Sequence, residues 1–529
     1  MKKRKGFILF VTICLALSML AGCGSNPGTA GPASSSSGKT QLNVATELMS
    51  ATLEPSLNWD GWFVMRWGAG ETLIRYDENG NFAPWLAESW EVAADNLTWT
   101  FKIRDGVKFS NGKDMKASDV VKSIERLFKL EDPANGGAGN PQGHFTYSSI
   151  AADDAAGTVT IVTKKPVPDM PGCLAYPWTM VIDVEGSAQR KVQLEGPICT
   201  GPYAFVSFTQ DNDVQMVRNE HYWDGEVPFK TVNIMQAKEP STRTMALQDG
   251  SVDLALNIPA SDRDLLLKAG GFTVNEVAGS RIGYAHINME GIMGNDALRQ
   301  AVMMAIDGKT IADVTTSGSY TYGYAAVPSS LDFGYDELKY QFSYDPEKAK
   351  KVLDQAGIVD SDGDGYRDLK GQAINLDYKV TANRQMDKIA QAQAAQLNVI
   401  GIKCTVQLTE TQADVLNHHT FDLCTSNEVT TQTGDPAKYL KHWYSKSDDN
   451  YANYKNSQYD ALYEALESEF DPEARKNYMV QMQQILLDDA AVLVYGYFNY
   501  NMCTADTLTG INVSPNDFYW VTKDIKFNK

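Results

Sequence analysis

The chain has 529 residues, of which 43% are hydrophobic and 21% are charged, and its formal net charge is −19. This length exceeds what one hydrophobic core usually holds, so we expect two or three domains. The ordinary composition excludes a disordered, collagenous or coiled-coil chain. The one long apolar run lies at the N-terminus, which excludes a multi-pass membrane protein, and the acidic body makes nucleic acid a poor partner.

Residues 1–22 have the layout of a secretory signal peptide, with a basic start and an apolar stretch too short to span a bilayer comfortably. Residues 20–23 (LAGC) resemble the lipobox of bacterial lipoproteins, which implies that Cys23 is diacylated and becomes the first mature residue. An ordinary secretory signal with an incidental cysteine is the alternative. The Gly-, Ser- and Pro-rich residues 23–40 predict a flexible linker, so we expect the body to hang from the outer face of the cytoplasmic membrane.

The later cysteines show no metal-binding spacing. They are Cys173, Cys199, Cys404, Cys424 and Cys503. Because their number is odd, at least one thiol is unpaired unless it bonds another chain. A disulfide between Cys173 and Cys199 is an arrangement that the sequence leaves open.

The first third of the body mixes strands and helices. Residues 98–103 and 158–162 alternate apolar and polar side chains, which predicts strands. Residues 117–130 place their apolar side chains on one face of a helix.

A βαβ unit is predicted further along the chain. Residues 374–380 and 402–408 alternate as strands, and residues 384–400 between them have helical spacing with Gly401 as a C-cap. Such a unit requires a parallel sheet covered by helices. Later still, Asp471-Pro472 predicts a helix start, and the apolar residues 491–498 predict a strand.

Enzyme signatures are absent from the sequence. GxSxG, HExxH, GxxxxGK[ST] and GxGxxG do not occur. His418 and His419 are adjacent, but nothing near them has ligand spacing. We therefore predict that the protein is not an enzyme.

Five segments follow one another in the order typical of a single family. They are residues 82–112 (with FAPWLAESWE and LTWTFKIRDGVKFSNG), 199–203 (CTGPY), 217–223 (VRNEHYW), 245–253 (MALQDGSVD) and 298–307 (LRQAVMMAID). In these segments the chain resembles the extracytoplasmic solute-binding proteins of family 5, the receptors of peptide, nickel and related ABC importers.

The resemblance implies an α/β, two-lobed fold of the periplasmic-binding-protein type, with a hinge and an extra α+β domain inserted in the first lobe. Residues 41–63, 186–270 and 492–529 would form lobe one, residues 64–185 the insert and residues 271–491 lobe two. A monomeric receptor would hold its ligand between lobes that close by a hinge motion. It would deliver the ligand to a membrane permease that works with cytoplasmic ATPases.

Candidate ligand contacts follow from the same resemblance. The aromatic candidates are Trp62, Phe63, Trp178, Tyr495 and Tyr497, each with core packing as the alternative. Arg66, in the same segment as Trp62, could clamp a carboxylate with two hydrogen bonds. Some nickel-chelate receptors of the family have an arginine near the position of Thr179, and its absence speaks against a metal-chelate ligand.

Residues 428–436 bear on the charge of the ligand. Peptide receptors of the family typically read Trp-x-x-Asp-x-x-Asp-Pro in this segment, and the aspartate that neutralises a peptide's amino terminus corresponds to Gln432. Because an unpaired buried ammonium group is costly, we predict weak binding of ordinary di- and tripeptides with a free amino terminus. Glu428 is the alternative anchor for that group.

An acidic loop is a candidate for structural Ca²⁺, and we expect no other cofactor. Asp360, Asp362, Asp364 and Asp368 occupy positions 1, 3, 5 and 9 of an EF-hand-like loop, but Gly371 stands where the twelfth position needs glutamate. A solvated turn is the alternative.

The sequence thus predicts a lipid-anchored receptor of an ABC importer that captures a peptide or peptide-like small solute. Receptors for an opine, a metal chelate or an oligosaccharide on the same fold are alternatives. A surface-anchored hydrolase is the alternative from another class.

Overall fold

A computed structural model describes residues 38–78, 80–131 and 145–528, without the side chain of Glu131. The predicted signal peptide, the lipidation at Cys23 and most of the linker lie outside the described residues. Within them, no helix combines the length and the apolar character needed to cross a bilayer.

The elements are numbered in chain order. The strands are Gln41–Thr46 (β1), Ile74–Tyr76 (β2), Phe82–Pro84 (β3), Ala87–Val92 (β4), Thr98–Ile103 (β5), Tyr147–Asp153 (β6), Thr158–Thr163 (β7), Tyr203–Thr209 (β8), Asp213–Arg218 (β9), Thr231–Gln236 (β10), Leu254–Leu256 (β11), Phe272–Ile287 (β12), Tyr320–Thr321 (β13), Asp368–Leu369 (β14), Gln372–Ala373 (β15), Asn375–Val380 (β16), Lys403–Leu408 (β17), Leu423–Val429 (β18), Val492–Ala505 (β19), Leu508–Thr509 (β20) and Lys526–Phe527 (β21). The helices are Asp60–Arg66 (α1), Ala117–Glu131 (α2), Met170–Cys173 (α3), Val184–Ser187 (α4), Val192–Glu195 (α5), Pro240–Gln248 (α6), Ala260–Ala269 (α7), Asp296–Ala305 (α8), Gly308–Thr310 (α9), Pro346–Gln355 (α10), Met386–Val399 (α11), Gln412–Asn417 (α12), Ala437–Leu440 (α13), Ser457–Leu466 (α14) and Pro472–Asp488 (α15).

Two long strands run through both lobes of an 11-stranded sheet, whose order is β17-β16-β18-β12-β19-β11-β1-β10-β9-β8, with β13 paired to β19. Strands β12 and β19 pair antiparallel from Phe272 opposite Ala505 to His286 opposite Val492. Their register shifts between Ala278 and Ile282 and again between Gly283 and Tyr284. Because a bulge bends a strand locally, the sheet has its natural hinge where the two lobes meet. The predicted two-lobed α/β fold is confirmed.

Each lobe has its own hydrophobic packing. On one side of the hinge, the core contains Leu42, Val44 and Trp62 together with residues of a smaller sheet. On the other side, α8, α10 and α11 cover one face of the sheet, and helices α13 to α15 cover the other. Because helices cover both faces of the sheet, its strands are buried on both sides, and this explains the apolar runs in their sequences.

The predicted βαβ unit is confirmed. Strands β16 and β17 are parallel, in register from Asn375 opposite Lys403, and α11 connects them. Gly401 follows the helix with a left-handed φ of +80°, a conformation that favours glycine. At the start of α15, the Asp471 side chain accepts a hydrogen bond from the backbone N–H of Ala474, which confirms the predicted N-cap.

A four-stranded sheet in the order β4-β5-β7-β6, together with α2, lies within the range predicted as the insert. We call residues 74–185 the small-sheet region. The buried carboxylate of Glu71, just before this region, links it to the residues that follow it. It accepts hydrogen bonds from Thr200 (2.7 Å), Trp223 (2.9 Å) and Tyr222 (3.0 Å). All three donors are neutral groups.

The disulfide that the sequence left open is not formed. Cys173 and Cys199 are both buried, and neither is part of a disulfide. Cys173 ends helix α3, whereas Cys199 lies in an extended segment that bridges to Ile182, so the two belong to different elements.

Candidate ligand-binding site

A group of aromatic side chains surrounds α1, in the first lobe. The indole N–H of Trp62 donates to the Tyr176 hydroxyl at 2.8 Å, and the Trp62 ring meets Phe518 edge-on at 4.8 Å between centroids. Trp59 stands at the margin of this group and is 50% exposed, although its ring lies 6.3 Å from that of Trp178. Most of the group is core, and Trp59 is its exposed aromatic surface.

Arg66 already has a counter-ion inside the protein. Its Nε donates to the backbone oxygen of Asp517 at 2.8 Å, and its Nη2 to the Asp517 carboxylate at 2.5 Å. The guanidinium also lies over the rings of Trp62, Phe63 and Trp520, at 5.1, 5.1 and 4.6 Å. The carboxylate that we predicted Arg66 to clamp is therefore supplied by the C-terminal segment of the chain.

Two further arginines converge beside Arg66. Arg281, on β12, donates from Nε to the Tyr500 hydroxyl at 2.7 Å and from Nη1 to the Asn427 side-chain oxygen at 3.0 Å. Arg384, just before α11, donates from Nη1 to the same oxygen at 3.2 Å. Because one oxygen serves both cations, their Nη1 atoms are no farther apart than these two distances together.

The arginine pair, Arg281 and Arg384, lacks a matching negative charge. Among the described residues, neither has a carboxylate within 4.0 Å, and the buried Nε of Arg384 has no hydrogen-bond partner. Arg281 is 8% exposed. Burial lowers the pKa of Arg66, and the charges of Arg281 and Arg384 lower it further, while Asp517 opposes them. Burial acts to lower the pKa of Arg281, but Tyr500 and the charge of Asp517 raise it overall. Asp517 is already paired with Arg66, so the two arginines of the pair share no carboxylate of their own, and this geometry favours an anionic group placed against them.

Glu428 faces the other side of the sheet. In the β12–β18 register, Asn427 lies opposite Gly283 and Glu428 opposite Ile282, and successive side chains of a strand point to opposite faces. The Glu428 carboxylate accepts from the Tyr284 hydroxyl and pairs with His442 Nε2 at 3.2 Å. Glu428, the predicted anchor for a ligand's amino terminus, is thus already bound to Tyr284 and His442 inside the protein.

Protonation of this group follows from its partners. Burial acts to raise the pKa of Glu428, but the charge and hydrogen bond of His442 and the Tyr284 hydroxyl outweigh burial and lower it. Burial acts to lower the pKa of His442, but Glu428 raises it overall. Burial, aided by His442, lowers the pKa of His286 to about 3. Glu428 and His442 therefore form an ion pair beside a neutral imidazole.

The other predicted contacts are not brought to the arginine pair. Tyr495 shares a hydrogen bond with the Tyr378 hydroxyl at 2.7 Å, and Tyr497 donates to the backbone oxygen of Ala325 at 2.9 Å. Each is 1% exposed and lies in a core of the second lobe. The backbone oxygen of Gln432 accepts from the Tyr76 hydroxyl at 3.2 Å.

The residues that sequence reasoning missed are Arg281, Arg384, Asn427, Tyr500 and Asp517. None belongs to a motif. Only Arg384 lay at a predicted feature, the start of the helix predicted at residues 384–400. That prediction did not indicate which residues Arg384 contacts.

The acidic loop gathers part of the predicted metal set. Oxygens of Asp360, Asp362 and Asp368 lie within 4.8 Å of one another, while Asp364 is not among them. The Asp364 carboxylate instead accepts from the backbone N–H of Tyr366 at 2.8 Å. Three carboxylate oxygens suit Ca²⁺, and Ca²⁺ at this loop stays a prediction.

A second acidic group is filled by a lysine. Oxygens of Asp119, Asp183 and Glu185 also lie within 4.8 Å of one another. The Lys113 ammonium lies 2.9, 2.8 and 3.0 Å from these three carboxylates. Burial acts to lower the pKa of Lys113, but its three carboxylate partners raise it overall.

Comparison with known proteins gives one consistent result. The model of the bacterial extracellular solute-binding proteins, family 5, matches residues 81–451. The oligopeptide-binding protein AppA of Bacillus subtilis is 25% identical over 551 residues, with 99% of both chains covered. The probable D,D-dipeptide-binding periplasmic protein DdpA of Escherichia coli is 24% identical over 498 residues, covering 90% of this chain and 92% of DdpA.

Solved structures agree with the fold described above. NikA from Brucella suis in complex with Fe(III)-EDTA superposes with a TM-score of 0.81 at 20% identity, covering 92% of this chain and 100% of NikA. The family match over residues 81–451 shows that the chain belongs to the bacterial extracellular solute-binding proteins of family 5.

Proposed function

We propose that the protein is the capturing receptor of an ABC importer and binds a small solute, peptide or peptide-like, through an anionic group held by Arg281 and Arg384. One observation carries this proposal: the two cations share one amide oxygen and, in the described part of the chain, have no carboxylate within reach. A ligand carboxylate supplies the missing charge in a geometry that guanidinium groups bind well.

The position of the pair also supports capture by closure. Arg281 lies on a strand shared by both lobes, Arg384 belongs to the second lobe, and the aromatic group around Trp62 belongs to the first. A ligand that touches all of them binds the closed arrangement better than the open one, which is the energetic condition for ligand-driven closure. Delivery to a permease with cytoplasmic ATPases follows as the function of such a receptor. The named relatives are binding proteins, which supports a non-enzymatic role.

Calorimetry with one tripeptide sequence in four forms tests the ligand class. The forms are free, N-acetylated, C-amidated and doubly blocked. Because the Glu428 charge is engaged by His442, a ligand's amino terminus meets no free carboxylate, and we expect N-acetylation to leave affinity unchanged or to raise it. C-amidation should weaken binding by about 100-fold, since it removes a charge-assisted pair. Binding that survives amidation but is lost on acetylation would contradict the proposal.

Native mass spectrometry of protein purified from producing cells extends the test to solutes outside the peptide class. The expected retained molecule carries a carboxylate or another anionic group. An opine or a metal chelate with free carboxylates would keep the arginine pair as the anchor and change only the ligand family. A retained neutral oligosaccharide would overturn the assignment.

The membrane anchor is proposed from the sequence alone. Residues 20–23 (LAGC) support diacylation at Cys23, and two acyl chains give stable anchoring where one does not. Cys23→Ala should therefore shift the protein from the detergent phase to the aqueous phase on phase partitioning. Unchanged partitioning would contradict lipidation.

A further inference from the structure

The two lobes touch at a place other than the hinge strands. Helix α3, in the small-sheet region, lies against residues 430–434, the loop that follows β18. A Cβ added at Gly172 would lie 1.8 Å from the backbone oxygen of Thr433. The two backbones are therefore in direct contact, and no residue larger than glycine fits there while they remain so.

Other pairs extend this contact away from α3. The Tyr76 hydroxyl donates to the backbone oxygen of Gln432. The ring of Trp99 stacks on Phe470 at 6.4 Å between centroids, with an interplanar angle of 29°. Lys165 and Glu467 form an exposed ion pair at 3.1 Å. We call the contact of Gly172 with Thr433, together with these pairs, the closure contact.

The closure contact is linked to the arginine pair through one strand. Asn427, whose side-chain oxygen serves both arginines, lies on β18, and the strand ends at Val429 just before the contacting loop. A ligand between the lobes can enter only if they separate. The loop is hydrogen-bonded to Ser280 on β12, at the register shift, and to Asn516, so a hinge motion at β12 that moves the loop with the second lobe would break its contact with α3.

We propose that Gly172 sets how far the lobes close: its contact with Thr433 forms only in the closed state, and its missing side chain allows full closure. The proposal rests on the receptor function proposed above. Gly172 is not held by its own backbone, because its φ is not in the left-handed region. The backbone of α3 is therefore compatible with alanine, and the three atoms nearest the added Cβ all belong to Thr433.

Chemical cross-linking tests this without any ligand. Lys165→Cys and Glu467→Cys place two exposed thiols across the contact, and a short bismaleimide joins them when the lobes are closed. Adding Gly172→Ala should slow cross-linking at least about tenfold, the change expected when closure becomes less favourable. Phe470→Ala, which removes the ring stacked on Trp99, should slow it in the same direction.

Gly291→Ala is the matched control. Its added Cβ would lie 3.5 Å from the nearest atom, an ordinary contact, and its φ of −91° is not left-handed. This control should cross-link like the parent. The melting temperature of the Gly172→Ala protein should equal that of the control, because the open state relieves the clash.

Two results would overturn the proposal. One is an unchanged cross-linking rate in both the Gly172→Ala and the Phe470→Ala background. The other is a melting temperature of the Gly172→Ala protein several degrees below that of Gly291→Ala, which would show permanent packing. Since no ligand is added, failure of the ligand class in calorimetry leaves this test unaffected.

Discussion

Two cationic centres in this protein differ in whether the chain itself supplies the negative charge that balances them. Lys113 lies among three carboxylates, two of which, Asp119 and Asp183, are almost fully buried. Arg281 and Arg384 instead meet an amide oxygen and a hydroxyl group. Where the chain supplies the counter-charge, the centre fastens one part of the fold to another. Where it does not, the electrostatic cost stays until a ligand removes it.

Replacing an arginine of the pair should give the largest effect on binding. Arg281→Met removes a buried cation that has no paired carboxylate and only the more distant charge of Asp517 to offset it, so the ligand-free protein should be as stable as the parent or more stable. Affinity for an anionic solute should fall by about 100-fold, equivalent to about 2.7 kcal/mol. Native mass spectrometry of the co-purified ligand and chemical denaturation measure the two effects. A destabilised variant with unchanged ligand retention would remove the contrast with Lys113.

Lys113→Met should give the opposite pattern. It leaves the carboxylates of Asp119 and Asp183 without a cation, while Glu185 keeps Lys122, and it should lower the free energy of unfolding by about 2 kcal/mol. Ligand retention should stay unchanged. Because the three oxygens lie within 4.8 Å of one another, millimolar Ca²⁺ should restore part of the stability of the variant. A variant that denatures like the parent would show that Lys113 is not needed there.

The Glu428–His442 pair gives a smaller effect that depends on pH. Since Glu428 raises the pKa of His442 above 6.5, the pair's contribution is fully present below pH 6.5 and is lost as pH rises through the raised pKa. His442→Gln should therefore be less stable than the parent at pH 5.5, by on the order of 1 kcal/mol, and the difference should shrink as pH rises through the raised pKa of His442. Urea denaturation over a series of pH values from 5.5 upward checks this. A difference that grows with pH would contradict it.

Glu71 should give the smallest change. Burial raises its pKa above 4.5, and its three donors only partly offset this. Between pH 4.5 and the raised pKa, the unfolded chain loses the Glu71 proton first, so the parent loses stability relative to Glu71→Gln as pH rises. At pH 7 the glutamine variant should equal the parent or exceed it by up to about 1 kcal/mol, because its oxygen can accept from Thr200 and Trp223 while its amide donates to Tyr222. Glu71→Ala, which leaves these donors unpaired, should be clearly less stable.

Local elements could be predicted from the sequence because their causes are local. The period of the apolar residues identified the βαβ unit, and residues 98–103 form β5 with the predicted bounds. The strand predicted at residues 491–498 is longer in the structure. It continues to Ala505 because β19 crosses from one lobe into the other. Its polar residues in the crossing do not follow the pattern of a single sheet face.

The proposed binding site could not be predicted from the sequence for a different reason. Arg66 reads as a free cation in its own segment, and its carboxylate partner, Asp517, is 451 residues away. Asn427 and Glu428 are neighbours in the chain but serve opposite faces of the sheet. Which charges are compensated is a property of the tertiary arrangement, and no spacing rule in one sequence reports it.

The shared strands also have a consequence for how the chain reaches its native state. Strand β12 pairs with β19, which is synthesised more than 200 residues later and near the C-terminus. Neither lobe can complete its part of the sheet until β19 has been synthesised. Until then, the strands on either side of its place in the sheet, β12 and β11, each have an unpaired edge. A chain truncated before Val492 lacks the strand that both lobes share. Neither lobe is therefore expected to fold without it.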